Sequence, residues 1–141
     1  YECLSFLAQR KSKSYTMKKV IETSNAPAPI GPYSQAILAG NTLFISGQIP
    51  YDGVMNYAGD DISDQAHQVM KNLKAVLEAA GMNFDHVAKT SIFLKSMDDF
   101  NAVNAVYGSY IGEDAPARET VEVSRLPKDV KVEISMIALK G

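Results

Sequence analysis

The sequence predicts an α+β domain, a mixed β-sheet with two helices packed on one of its faces. Three observations carry this. Two segments place apolar residues every three or four positions, the spacing of one helix face. Around them lie six short runs rich in β-branched and aromatic residues, with turn residues between them. The last run is apolar on both sides, so both sheet faces need cover, and two helices cover only one. Self-association is the simplest cover for the other. At 141 residues the chain has the size of one domain.

Residues 1–16 are basic and Ser-rich and precede Met17. They read as a leader or remnant, separate from a single domain over residues 17–141. Lys18 to Glu22 reads as a first strand. The segment from Asn25 to Pro32 holds three prolines and a glycine and reads as an extended loop. Tyr33 to Leu38 and Thr42 to Ser46 are strand-like, and Gly40-Asn41 between them signals a hairpin. Gln48 to Asp60 is a turn-rich connection.

The first helix is expected from Asp61 to about Ala80. Ile62, Ala66, Val69, Met70, Leu73, Val76, Leu77 and Ala80 form its apolar stripe, acids fill its first turn, and Gly81 stands at the C′ position. Val87 to Lys95 is a strand. Ser96-Met97-Asp98-Asp99 reads as a capping box for a second helix reaching Tyr110, with Phe100, Val103, Tyr107 and Ile111 on its buried side. Arg118 to Val123 and Val130 to Leu139 are the last strands.

Composition excludes several function classes. No apolar run approaches the roughly 20 residues of a membrane helix. The net charge is −2, and residues 1–16 carry +2 of it, so the remainder stands at −4. An acidic body disfavours nucleic acid as a partner. The one cysteine, Cys3, allows neither an intrachain disulfide nor a cysteine zinc site. It fits a cytoplasmic location, or an organelle if residues 1–16 are a targeting remnant. Only His67 and His86 are available as histidines, both read as surface residues, so a multi-histidine metal site is not expected. No nucleotide-binding loop, zinc motif or serine elbow is present.

The chemical candidates are polar residues in apolar settings. Arg118 opens an apolar strand. Guanidinium suits bidentate capture of a carboxylate or phosphate, and an edge salt bridge is the plain alternative. Glu133 lies mid-strand, where burial without a partner is costly, so it faces solvent, a base or a site. Thr120 shares a strand face with Arg118 by alternation. Asn104 falls on the second helix at the spacing of its apolar stripe, as a buried amide or a polar handle in a pocket. Tyr33 and Ser46 stand beside glycine-containing turns, where Gly31 and Gly47 permit close backbone approach to a ligand, or simply a turn. These residues define at most a site for a small anion.

Five segments in order are more specific: APAPIGPYSQA (26–36), LFISGQIP (43–50), KTSIFLK (89–95), DDFNAVNAVY (98–107) and PARETVEVSRLPKDVKVEI (116–134). Together they resemble the Rid family, also called YjgF and often named L-PSP endoribonuclease, and its RidA branch in particular. The resemblance spans residues 18–140. It implies a chorismate-mutase-like fold assembled as a homotrimer, with active sites between subunits. It implies hydrolysis of 2-imino acids and their enamines, such as 2-aminoacrylate or 2-iminobutanoate, to 2-keto acids and ammonia, with no cofactor and no metal. On that pattern Arg118 anchors the substrate carboxylate and Glu133 orients or activates water. Tyr33, Ser46, Gly47, Asn104 and Thr120 line the pocket.

Three positions depart from the family pattern, Ser135 replacing a common acidic residue among them, and the loops near Asp52 and Gly112 look short. Thr120 stands where cysteine is common, exchanging a thiol for a hydroxyl. Glu119 stands where a small residue is usual, and alternation directs it away from Arg118. The alternatives to a deaminase are an endoribonuclease or translation inhibitor, and a non-catalytic module binding small carboxylates.

Overall fold

The computed structural model describes residues 17–141; the predicted leader, with Cys3, lies outside the described residues. The elements are β1 (Lys18–Ile21), β2 (Ala36–Ala39), β3 (Thr42–Gln48), α1 (Ile62–Ala79), β4 (Val87–Leu94), α2 (Phe100–Tyr110), β5 (Ala117–Glu122) and β6 (Val132–Leu139). The six strands form one sheet in the order β1-β2-β3-β6-β4-β5. All neighbours are antiparallel except β4 and β5, which run parallel with α2 as their crossover. The predicted element order and the mixed sheet with its helix layer are those observed.

Strand alternation gives the sheet two different faces. In β6, Val132, Ile134, Met136 and Ala138 are buried, while Glu133, Ser135 and Ile137 are only half-buried. The buried set packs against Val69, Leu73, Val76 and Leu77 of α1 and Val103 of α2 in one core. Asp61 starts α1 by accepting the backbone N–H of Asp64 at 3.0 Å. Gly81, at φ +71°, ends it in a backbone region that side chains rarely tolerate. No helix among the described residues covers the opposite face. Phe44 is 48% exposed there and Leu139 50%, beside half-buried Ile37, Phe93 and Ile137. The expectation that both faces are buried is therefore met on one side only within a single chain.

Other differences from the sequence reading have local causes. The strand expected from Tyr33 begins at Ala36 instead. Tyr33 turns its N–H back onto the Gly31 carbonyl at 2.8 Å, so the chain is not yet extended there. The capping box at Ser96 is half made. Ser96 Oγ accepts the Asp98 N–H at 3.2 Å, but Asp99 makes no cap bond. A carboxylate from β5 serves the turn, Glu122 Oε1 accepting the Met97 N–H at 3.0 Å. The last strand starts at Val132, because Pro127–Asp129 forms a short 3₁₀ turn before it.

Three buried amides tie the long loops to this frame. Gln35 accepts the Thr23 N–H and donates to the carbonyls of Thr23, Ala26 and Pro27 at 2.7–3.3 Å. Gln65 donates to Tyr57 and to the Gly59 carbonyl and accepts the Lys131 N–H. Asn72 holds the carbonyls of Ile49 and Tyr51. Gln35 thus fixes the proline-rich loop that carries Tyr33. Gln35→Ala is expected to lower stability by about 2–3 kcal/mol, since several buried groups lose their partner. Thermal unfolding, with hydrogen exchange over residues 23–34, checks this.

Candidate active site

An irregularity in β3 builds the centre of the site. Ile45 pairs with Met136 and Gln48 with Ile134, so Ser46 and Gly47 together stand against the single Ser135. The extra residue lets Gly47 lie directly against the Glu133 side chain. A Cβ on Gly47 would overlap that carboxylate and sit 2.8 Å from its Cδ. Glu133 shares the helix-free face with Phe93, its partner across β4.

Glu133, Gly47, Ser46 and Tyr33 line one cleft of about 330 Å³, whose other walls are Ile30, Ile49 and Pro127. Ser46 spends its hydroxyl on the Ser34 carbonyl at 2.6 Å. Tyr33 is 51% exposed, and its hydroxyl accepts the Ile30 N–H at 3.2 Å. Burial pushes the Glu133 carboxyl above its ordinary value. Among the described residues no cation pairs with it. The sequence left it open whether this carboxylate faces solvent or a site; it lines a cleft.

The remaining candidates sit elsewhere. Arg118 is the register partner of Thr90, a fully buried residue of the helix-covered face. Arg118 therefore lies on the face opposite Glu133, two strands across (roughly 10 Å) and three residues along the strands (roughly another 10 Å). It is half-buried, and its Cζ lies over the rings of Tyr107 (5.0 Å) and Phe100 (5.8 Å). The edge salt bridge considered for it is not made: the ion pairs among the described residues are Lys89–Glu119 and Arg125–Asp129. Thr120 follows on the same face, and its buried Oγ1 has no hydrogen-bond partner among the described residues. Glu119 points the other way, to Lys89 Nζ at 2.9 Å and Ser91 Oγ at 2.7 Å.

Asn104 is exposed, which corrects its placement inside the apolar stripe. The buried arc of α2 runs through Val103, Val106 and Tyr107, so Asn104 falls on its flank. There it is one turn beyond Phe100 and three residues from Tyr107, on the rim that holds Arg118. His67 is exposed against Tyr110 at 3.0 Å, and His86 receives the Asn83 N–H at 3.0 Å within a turn. Neither lines the cleft. Among the described residues no cluster of ligating side chains could hold a metal ion, and no helix is long and apolar enough to cross a membrane.

The sequence-predicted residues thus form two groups. Tyr33, Ser46, Gly47 and Glu133 meet in the cleft. Arg118 and Thr120, with Asn104 on the neighbouring rim, lie across the sheet. Sequence reasoning missed the apolar cleft walls Ile30, Ile49 and Pro127, and the rings under Arg118. The signal for the walls was present in the prolines beside Ile30 and Ile49 and in Pro127 itself.

A two-helix α+β layer with a carboxylate cleft on its bare sheet face is the class that fold and site define. The family described as Endoribonuclease L-PSP matches residues 23–140, and the chain belongs to it, as a RidA-type member of the Rid/YjgF group. A RutC family protein of Pyrococcus horikoshii is 58% identical over 125 residues, covering 88% of this chain and 99% of its own. A 2-iminobutanoate/2-iminopropanoate deaminase of Salmonella typhimurium is 47% identical over 127 residues, covering 88% and 99%. Among solved structures, E. coli TdcF with bound serine is 39% identical with a TM-score of 0.82, covering 87% of this chain and 99% of that one.

Two outcomes follow from the cleft. Gly47→Ala should displace the Glu133 carboxylate, a flexible end that can yield, and leave the fold intact. Turnover that needs Glu133 in place should fall by about a hundredfold, with Tm nearly unchanged. Glu133→Gln should raise stability at neutral pH, since the raised carboxyl pKa means that ionisation opposes folding. The sign follows from proton linkage: the penalty is absent below the unfolded pKa and complete above the folded one. The gain should vanish on acidification, which unfolding curves across pH would show.

Proposed function

We propose that this protein hydrolyses small 2-imino acids and their enamines to 2-keto acids and ammonia. The observation that carries this is a pair of uncompensated charges on opposite faces. Glu133 has no cation partner and Arg118 no carboxylate partner among the described residues. The fold cannot bring both to one ligand within a chain. A copy docked on the bare face beside Phe44 and Leu139 would bring an Arg118 rim to a Glu133 cleft. The assembly we propose is a homotrimer with its active sites between subunits. Support also comes from the Salmonella relative, which carries the deaminase name, and from the TdcF structure, which holds a small carboxylate ligand.

The chemistry asks for little. Arg118 of one copy binds the substrate carboxylate, with Asn104 and the free hydroxyl of Thr120 beside it. Glu133 of the neighbour faces a water and takes one of its protons as the oxygen bonds to the imine carbon. That proton passes to nitrogen to give the carbinolamine; its hydroxyl proton is then taken up by the carboxylate and delivered to the same nitrogen as the carbon–nitrogen bond breaks, so that ammonia leaves and the keto acid remains. No cofactor enters this sequence. Tyr33 and Ile49 close the cleft over the reacting carbon. An endoribonuclease is the second reading, through the family's name. Against it stands the position of His67 and His86, both away from the cleft.

The test generates the imine in situ with a pyridoxal-phosphate-dependent serine or threonine dehydratase and follows keto-acid release. Wild type should accelerate it. Arg118→Ala should lose about a hundredfold in kcat/KM through the missing charge-assisted bonds. Activity should decline as pH drops through the raised Glu133 pKa, because only the carboxylate accepts a proton. Absence of acceleration by folded wild type, with carboxylate binding retained, would leave a binding module. Cleavage of RNA that copurifies with the protein and requires Glu133 would favour the endoribonuclease.

A second outcome concerns assembly. Mixed oligomers of Arg118→Ala and Glu133→Gln chains should regain activity in about one site in four, since some sites receive both intact groups. Phe44→Asp should give monomers without turnover, read by light scattering and the same assay.

A further inference from the structure

We infer that Tyr107 is a positioning residue for Arg118, and that the Tyr107–Thr90 bond holds it in that role. The inference rests on Arg118 as the carboxylate anchor. It goes beyond that reading by asking what fixes the guanidinium before a ligand arrives.

A free arginine side chain samples many rotamers, and ordering it on binding weakens the complex. Here the Cζ lies 5.0 Å from the Tyr107 ring centroid and 5.8 Å from that of Phe100, both within cation–π range. Ring faces attract the charge without accepting its in-plane N–H bonds. Among the described residues none takes these N–H groups, which leaves all five donors for a bidentate acceptor. A carboxylate in the same place would hold the arginine as firmly but compete with the ligand.

The acids on the same strand are kept from that competition. Glu119 is occupied by Lys89 and Ser91 on the other face, and Glu122 by the Met97 N–H. The lysine and serine hold the Glu119 carboxyl below its usual range, so it stays charged and engaged there.

The cradle is tethered to the sheet. Tyr107 is 5% exposed, and its hydroxyl donates to Thr90 Oγ1 at 3.0 Å in the buried layer. Thr90 of β4 is the register partner of Arg118 on β5. One hydrogen bond therefore locks the ring of α2 to the strand beside the arginine it supports. Two residues on, the Thr120 hydroxyl is buried without a partner.

A merely structural role must be separated from a positioning one. Tyr107→Phe alone strands the buried Thr90 hydroxyl and costs stability. The pair Tyr107→Phe with Thr90→Val removes both partners and should restore Tm close to wild type. In that double variant the tether is gone and the ring remains. KM in the coupled assay should still rise several-fold with kcat nearly unchanged, as loss of uniform binding predicts. Tyr107→Leu, which removes the ring face, should raise KM by about tenfold or more. Pyruvate, an unreactive carboxylate of similar size, should show the same ordering of Kd by calorimetry on the assembled protein.

Wild-type KM and pyruvate Kd in the double variant and in Tyr107→Leu would overturn the inference. So would a loss confined to kcat, or wild type that does not bind pyruvate through Arg118. Pyruvate binding that weakens in the predicted order, without imine turnover by wild type, would sustain the cradle while removing the deaminase reading.

Discussion

The helix layer covers one face of the sheet, and strand alternation then decides what every polar residue can reach. With α1 and α2 on one side, each strand sends alternate side chains into the core or onto a bare surface. Arg118 shares the covered face with Thr90, and Glu133 shares the bare face with Phe93. No side-chain rotamer can undo this, because the sheet itself lies between them. The separation of acid and base follows from the same alternation that buries Ile134 and Met136 in the core.

Within that constraint the extra residue in β3 does the local work. A regular pairing would set a side chain where Gly47 now leaves room for the Glu133 carboxylate. The space is narrow and walled by Ile30, Ile49 and Pro127, so the carboxylate is partly stripped of water, which raises its affinity for a proton. A proton-accepting group gains from this up to the point where it stops being ionised at working pH. The arginine is treated in the opposite way. Its charge is spread over aromatic faces and its donors are left free. Glu133 is tuned by desolvation, whereas Arg118 is tuned by what has been kept away from it.

The fold was legible because its determinants are local. The apolar period of α1, the Asp61 cap, Gly81 and the Gly40-Asn41 turn each act within a few residues, and each appears where the spacing requires. The site was legible in its residue types and not in its geometry. Glu133 could face solvent or a cleft until the β3 irregularity was seen, since that depends on pairing between distant strands. Asn104 was misplaced because helical spacing tests one face at a time. Phe100 and Tyr107 fitted an apolar stripe, but the buried arc runs through Val103, Val106 and Tyr107 and leaves Asn104 outside. The Ser96 capping box failed for a similar reason, since Glu122, distant in sequence, supplied an acceptor that local pattern cannot show.

The two departures at residues 119 and 120 can now be weighed by geometry. A carboxylate next to Arg118 would compete for its donors only if it turned toward the guanidinium. Lys89 and Ser91 make that turn costly, since two charge-assisted bonds would be lost to gain one competing contact. Glu119 therefore reinforces the direction that alternation already imposes. Thr120 is different, because it faces the anchor side. A buried hydroxyl without a partner is a cost in the free protein, of order 1–3 kcal/mol. A ligand oxygen accepting its proton would relieve that cost. The two positions thus differ in kind, Glu119 being held by two partners and Thr120 by none among the described residues.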